Sequence, residues 1–385
     1  MHPPKLVSHT PIAAKFLARV NRFVIRCYQE NVGEIEAYMA NPGRLGELLL
    51  PGADLLIEKV DDDTSRKLRY SASAVLTDNS HIGLNTQQTN TLARYLLKKR
   101  LVPTLEKSEI VSEEFHVGKN RFDFLMQENG EKFLLEVKSV TLSSNGISMF
   151  PDAITERGTR HLNELSQLNE SGIKPTVLFI SQGSGDDLFM PDYHTDLVFS
   201  QTLLSLKDYL SIIPIEIKWK SNLELSDRVK LLEIPWRFLD TRMADTGAYI
   251  LVMHISETQA ISIGSIGTVQ IGPGYYLYVG SGMNGLSARV TRHLRKKKRL
   301  HWHVDFLRQI ASTVKAYPIR TPHNIETPLV VALEKIFAPS IPGFGASDSS
   351  QATHLFFSSS DPYLSKSFQL LLSSFRFSRP HFHEV

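Results

Sequence analysis

The chain of 385 residues holds one cysteine, Cys27. A single thiol excludes an intrachain disulfide framework, fits a reducing compartment, and leaves no thiolate cage for a structural metal. No apolar run approaches the roughly 18 residues that span a bilayer. The first residues lack the apolar stretch of a signal peptide, so a cytoplasmic protein with no membrane partner is expected. Net charge is low, +3, but uneven: from Arg237 onward there are 16 Lys+Arg against 9 Asp+Glu, and before it 27 against 31. A basic second part on a slightly acidic first part fits a nucleic-acid partner, DNA or RNA. The length implies two or three domains.

What is present is organised around residues 120–165. Two β-like runs, 121–126 and 133–142, flank Glu128-Asn129-Gly130, a hairpin-turn signal. The second run carries Glu136-Val137-Lys138. Residues two apart in a strand face one side, so Glu136 and Lys138 project together, and Asp123 sits beside them if the hairpin pairs. Two carboxylates and an ammonium suit a divalent, oxygen-ligated cation such as Mg²⁺ or Mn²⁺ and a positioned water. E-x-K alone says little, since about one is expected by chance in a chain of this size. Glu216-Ile217-Lys218 is a second example, and it reads as a solvated strand face. The first differs by its hairpin and by the helix start behind it. A helix pattern begins at about Asp152, which puts Asp152 and Glu156 on one face and pairs Arg157 with His161.

Around this centre, residues 16–27, 34–40, 54–60 and 67–76 read as strands between tight turns, a small barrel of about five strands. Arg19, Arg22, Arg26 and Arg44 could line its face. Residues 90–101 read as a helix, 176–181 as a buried strand, 192–210 as carrying a helix and 212–219 as a strand, which gives an α/β core. The second half opens with strands at 246–252 and 274–281 and a helix at 286–294 bearing Arg289 and His293 on one face. A basic run, Arg292, Arg295, Lys296, Lys297, Lys298 and Arg299, reads as a charged helix face. Next to Trp302 it favours a phosphate-tracking surface with stacking. His301 and His303 around Trp302 lack a third ligand at metal-site spacing.

The strings RFDF, LEVKSVTL and FPDAITERGTRHLNEL, with Asn41-Pro42-Gly43-Arg44-Leu45 upstream, resemble the SfsA family of sugar fermentation stimulation proteins over roughly residues 10–220. That resemblance implies an OB-like N-terminal barrel joined to a PD-(D/E)xK restriction-endonuclease-like core, hence nucleic-acid binding and metal-dependent phosphodiester hydrolysis. Where the pattern expects histidine before the Asn-Pro-Gly turn, this chain has Tyr38. Residues 245–357 resemble the GIY-YIG nuclease-like superfamily, with Gly247-Ala248-Tyr249 and Tyr278-Val279-Gly280 at the two tripeptides. This implies a site of Tyr249, Tyr278, Arg289, His293 and the metal-binding Glu326. Two departures stand out: 28 residues (250–277) separate the tripeptides, and Thr327-Pro328 after Glu326 suggests that Glu326 falls before its helix. Gly345, Asp348 and His354 are further polar candidates.

The expected architecture is therefore a mixed α+β and α/β multidomain chain. It has an OB-like barrel (1–85), a PD-(D/E)xK nuclease-like core (86–235) and a GIY-YIG-like domain (236–385). The expected function is a metal-dependent DNA or RNA nuclease. Asp123 and Glu136 hold the cation and Lys138 the attacking water. Asp152, Glu156, Arg157 and His161 shape the site, and Arg22, Arg44 and the basic run bind substrate. The alternative is a non-catalytic DNA-binding regulator of sugar metabolism. A sugar-acting enzyme ranks last, because a glycosidase needs two carboxylates at a defined gap.

Overall fold

The structure, a computed structural model, describes residues 2–60, 67–77, 80–168, 174–182, 185–346 and 350–377. These form two compact units, one of 2–192 and 198–236, the other of 193–197 and 237–377. Among the described residues no helix is long and apolar enough to cross a membrane.

The first unit begins with a barrel of β1 (Ile12–Asn21), β2 (Val24–Gln29), β3 (Gly33–Met39), β4 (Asp54–Lys59) and β5 (Tyr70–Thr77), extended by β6 (Ser80–Gly83). The pairs β1–β2, β2–β3, β1–β4 and β4–β5 are antiparallel, and a parallel β3–β5 pair closes the ring. Period-2 alternation sends Phe16, Ile25, Cys27, Leu55 and Ile57 inward. The run 16–27 is two strands rather than one. At the turn the Asn21 side chain accepts the Phe23 amide at 2.9 Å, a side-chain-stabilised turn made without glycine or proline. Arg19 is consumed structurally, its guanidinium bonding the carbonyls of Arg22, Asn41, Gly43 and Arg44. Arg26 pairs with Glu36 at 3.6 Å. Of the four arginines assigned to the barrel face, Arg19 is withdrawn, while Arg22, Arg26 and Arg44 stay exposed.

The core of the unit comprises α1 (Thr89–Lys98), β7 (Glu109–Val117), β8 (Asn120–Glu128), β9 (Glu131–Val140), β10 (Leu142–Ser144), β11 (Ile147–Phe150), α2 (Glu156–Leu168), β12 (Lys174–Ser181), β13 (Leu188–Pro191), α3 (Leu197–Ser205), β14 (Ser211–Trp219) and β15 (Leu225–Leu231). The main sheet runs β15-β14-β12-β9-β8-β7, with β9, β12 and β14 parallel at its centre. One apolar cluster, including Leu92, Leu96, Phe124 and Leu135, covers one face, and Leu125, Leu134, Leu162 and Leu165 belong to the other. A central strand covered on both sides is buried on both faces, which is why β12 reads as a continuous apolar run, Val177 to Ile180. The turn Asn129-Gly130 has φ of +49° and +89°, the backbone that a two-residue hairpin demands and glycine tolerates.

Helix α2 starts at Glu156, four residues after the expected start. Asp152 lies in the preceding loop, where its Oδ2 accepts the Leu45 amide at 2.7 Å. Asp152 and Glu156 therefore do not share a helix face. Gly43 is required here, because a Cβ would come within 2.8 Å of Asp152 Oδ2. Glu216 also departs from expectation. It is 2% exposed and caps the Gly185 and Asp186 amides, so that E-x-K is no solvated face.

The second unit holds α4 (Trp236–Arg242), β16 (Gly247–Ile255), β17 (Gln259–Ile263), β18 (Gly267–Ile271), β19 (Gly274–Ser281), α5 (Leu286–Leu294), α6 (His303–Ile310), β20 (Thr313–Arg320), α7 (Glu326–Glu334), β21 (Ala338–Pro339), β22 (Leu355–Ser358) and α8 (Lys366–Arg376). Its sheet runs β20-β16-β19-β22-β21. The extra length between the tripeptides is a separate two-stranded sheet, β17–β18. It leaves the β16–β19 register unbroken from Ala248↔Ser281 to Ile255↔Gly274. Glu326 is the first residue of α7 rather than lying before it, because Thr327-Pro328 fits a first helical turn.

Burial is the largest influence on Asp152 and pushes its carboxyl up to about 6 from 3.8, although the Leu45 amide and Arg44 oppose the rise. A carboxyl raised in the folded state contributes its stability fully below about 3.8 and loses it as pH rises through about 6. Across that window the unfolding midpoint of the wild type should fall relative to Asp152→Asn, whose amide oxygen keeps the Leu45 bond. Denaturant titrations at stepped pH measure the difference.

Candidate active site

The hairpin β8–β9 pairs from Glu128↔Glu131 to Phe124↔Leu135, where its described register ends. One residue further on, Asp123 Oδ2 accepts the Val137 amide at 2.8 Å. The side chain thus takes up a backbone donor that the ladder leaves free. Asp123 Oδ1 accepts from Asn90 Nδ2 at 2.8 Å. Glu136 is 5% exposed. Its Oε1 receives Lys138 Nζ at 2.5 Å and faces His161 Nδ1 of α2 at 3.0 Å, while its Oε2 is buried without a partner. Arg157 Nε reaches His161 Nε2 at 3.4 Å, as the i,i+4 spacing predicts. Glu156 is exposed at the first helical position and Arg157 is exposed beside it.

Electrostatics separates the two acids. Burial raises the Asp123 carboxyl, and the nearby Glu136 charge raises it further, against the Val137 and Asn90 bonds. Burial pushes Glu136 up as well, but the bonds from His161 and Lys138 and their charges override it and hold the carboxyl down at about 2. Two close carboxylates, one with an orphaned buried oxygen, fit a divalent cation with oxygen ligands. No group of three or more His, Cys, Asp or Glu among the described residues is arranged to hold a metal. A cation here would draw its remaining ligands from water or substrate, as Mg²⁺ commonly does.

A cleft of about 330 Å³ opens beside the pair: its lining takes in their partners Asn90, Val137 and Lys138 but neither carboxylate. Its lining includes Arg22 and Asn41 from the barrel and Asn90, Lys138, Ser139 and Asp152 from the core. Two buried donors on its walls, Asn41 Nδ2 and Ser139 Oγ, lack a partner. Sequence reasoning misses Asn90 and Asn41 as site residues. Asn90 joins Asp123 only through the packing of α1, and Asn41 reads as a turn residue. Arg44 is exposed beside the Asp152 loop.

In the second unit the other four residues named by the resemblance lie around Tyr249. Tyr278 and His293 have ring centroids 6.3 and 5.7 Å from it, and the charges of Arg289 and Glu326 act on its hydroxyl. Gly280 permits this, because a Cβ would lie 2.4 Å from the Tyr249 hydroxyl. Burial, reinforced by Tyr278, raises Tyr249 far above the ordinary tyrosine range, so it stays protonated. Burial and Lys298 lower His293 to about 4, a neutral imidazole. Glu326 lies 3.3 Å from His354. Burial opposes its ionisation, but bonds from His354 and Ser281 hold its carboxyl low. Asp348 lies outside the described residues.

The basic run is not a helix face. Helix α5 ends at Leu294, and Arg295, Lys296, Lys297 and Arg299 stand exposed in the following loop. Arg292 and Lys298 are turned inward onto Asp305, at 2.7 and 2.8 Å, which withdraws them from a phosphate surface. Asp305 is fully buried and also accepts the His301 and Trp302 amides. Arg289 lies under the Trp302 ring, 5.5 Å from its centroid. His303 is occupied by the Gly345 amide at 3.1 Å. Removing one partner of a buried ion network leaves the others uncompensated. Asp305→Ala should therefore lower the stability of this unit by about 3–5 kcal/mol, read from chemical denaturation.

Residues 17–84 match the family model described as the SfsA N-terminal OB domain, and residues 87–222 match the sugar fermentation stimulation protein RE domain. Residues 248–376 match a domain of unknown function, DUF123. A sugar fermentation stimulation protein homolog of Methanosphaera stadtmanae is 35% identical over 223 residues, covering 56% of this chain and 92% of its own length. A homolog of Clostridium novyi is 36% identical over 193 residues, or 50% and 83%. The solved structure of Pyrococcus furiosus SfsA in complex with Ca²⁺ matches with a TM-score of 0.54 at 26% identity, covering 61% of this chain and 99% of that one.

Proposed function

The chain belongs to the SfsA family of sugar fermentation stimulation proteins, and from that premise we propose that it binds nucleic acid and hydrolyses phosphodiester bonds with a divalent cation. One observation carries the reading: Asp123 and Glu136 lie together at the β8–β9 fork beside Lys138, and one Glu136 oxygen is buried and unpaired. The Ca²⁺ bound by the archaeal relative supports a divalent cation here, and Mg²⁺ or Mn²⁺ is the working choice. Bound at Asp123 and Glu136, it would supply Lewis-acid polarisation of a phosphoryl oxygen and a more acidic water.

The chain's own residues do the rest. Asn90 and the Val137 amide orient the Asp123 carboxylate. His161 and Lys138 fix Glu136. The Lys138 ammonium, on the cleft wall, orients the attacking water and meets the charge that develops on phosphorus-bound oxygens. In the second unit the Tyr249 cluster supports a GIY-YIG-like reading. Arg289 answers developing charge, Glu326 would hold a cation, His293 accepts a proton and Tyr249, kept protonated, donates a hydrogen bond. The exposed cations of the loop after α5 track the phosphate backbone.

A second reading, a DNA-binding regulator without catalysis, draws on one fact: both Asp123 oxygens already have protein donors. Labelled single- and double-stranded DNA and RNA, incubated with Mg²⁺, Mn²⁺ or EDTA, separate the two. Lys138→Ala should bind within a few-fold of wild type, yet lose cleavage by on the order of 10²–10³-fold. Cleavage retained in Lys138→Ala and Glu136→Ala but lost in Arg289→Ala moves the chemistry to the second unit. Metal-independent binding with no cleavage by wild type replaces the nuclease with the regulator.

A further inference from the structure

The barrel rim beside the cleft carries an aromatic pair with an open side. Phe23 follows Arg22 in the β1–β2 turn and is 40% exposed. Its ring stacks against Tyr38 of β3, with centroids 6.4 Å apart and planes inclined by 25°. The Arg22 guanidinium lies 5.5 Å from the Phe23 centroid. The backbone beneath is fixed. The Phe23 carbonyl accepts the Met39 amide at 2.8 Å, Asn21 holds the Phe23 amide, and Arg19 holds the Arg22 carbonyl.

The adjoining wall calls for a ligand with acceptor oxygens. Asn41 is 3% exposed, lines the cleft and has no partner for Nδ2. A buried donor left unpaired is destabilising, and an incoming phosphate oxygen would satisfy it. Arg22 on the same wall adds positive charge. The acid nearest this wall, Asp152, is already engaged by the Leu45 amide.

We propose that this rim stacks an unpaired base and that the cleft takes single-stranded nucleic acid in preference to duplex. The inference rests on the nucleic-acid reading above. An exposed ring beside a guanidinium and an amide donor matches a nucleotide, whose base has a flat π face and whose phosphate has acceptor oxygens. A paired base inside a duplex has both faces covered and cannot stack there. The cleft, about 330 Å³, is of small-ligand size, the scale of a nucleotide rather than a double helix.

The test is fluorescence anisotropy of short labelled single strands and duplexes of the same sequence, with EDTA present so that binding is read without cleavage. Phe23→Ala should weaken single-strand binding by roughly 10-fold or more, change duplex binding little, and leave the salt slope unchanged because no phosphate contact is lost. Phe23→Trp should restore affinity, and its added fluorescence should be quenched by the single strand. Equal loss for both ligands, no loss for either, or no quenching in Phe23→Trp overturns the inference. If Phe23→Ala unfolds, the tryptophan quenching decides alone. A wild type that prefers single strands through Phe23 but cuts nothing upholds this inference while removing the nuclease reading.

Discussion

The acidic centre depends on one substitution of hydrogen-bond partners. At Asp123 a carboxylate oxygen takes the Val137 amide, one residue beyond the last described pair of the hairpin. A buried amide must find an acceptor, and here the acceptor is a carboxylate. This brings two negative groups close together inside a covered sheet. The cost is visible in the raised Asp123 carboxyl, and it is offset on the other side by Lys138 and His161, which keep Glu136 ionised. The pair is thus unequal, one acid strained toward neutrality and the other held charged, and an added positive charge would relieve the strain.

The second unit answers the same problem differently. Asp305 is buried as a charge and gathers Arg292, Lys298 and two amides. Those contacts pin the start of α6 and the loop of exposed cations before it. The inward half of the basic run thereby holds the outward half in place. Tyr249 and Gly280 are a similar couple, in which a ring occupies the space that a missing side chain leaves.

Local signals made the hairpin legible. Asn129-Gly130 set the turn between β8 and β9, and the two-residue period of a strand put Glu136 beside Lys138. Tertiary partners defeated the rest. Asp152 looks like a helix start because Pro151 and Glu156 surround it, but its carboxylate answers to Leu45, more than a hundred residues away. Glu216 looks like a solvated acid because it alternates with Lys218, yet its carboxylate caps a loop formed by residues 185 and 186. The strand run 16–27 hides its turn because Asn21 makes it by side-chain bonding. Asn90 carries no local mark at all, since its role exists only once α1 packs beside β8. The family strings located the chemistry; the packing showed which polar groups are already spent.

Arg19 acts on time as well as on shape. Its guanidinium bonds carbonyls of two turns, Asn21 and Arg22 in one and Asn41, Gly43 and Arg44 in the other, and those turns carry Arg22 and Asn41 at the mouth of the cleft. A ligand arriving there meets a rim already in its final form, with no loop to order. Association is then governed by diffusional encounter and charge rather than by rearrangement. Differences among ligands must reside mainly in how long each one stays.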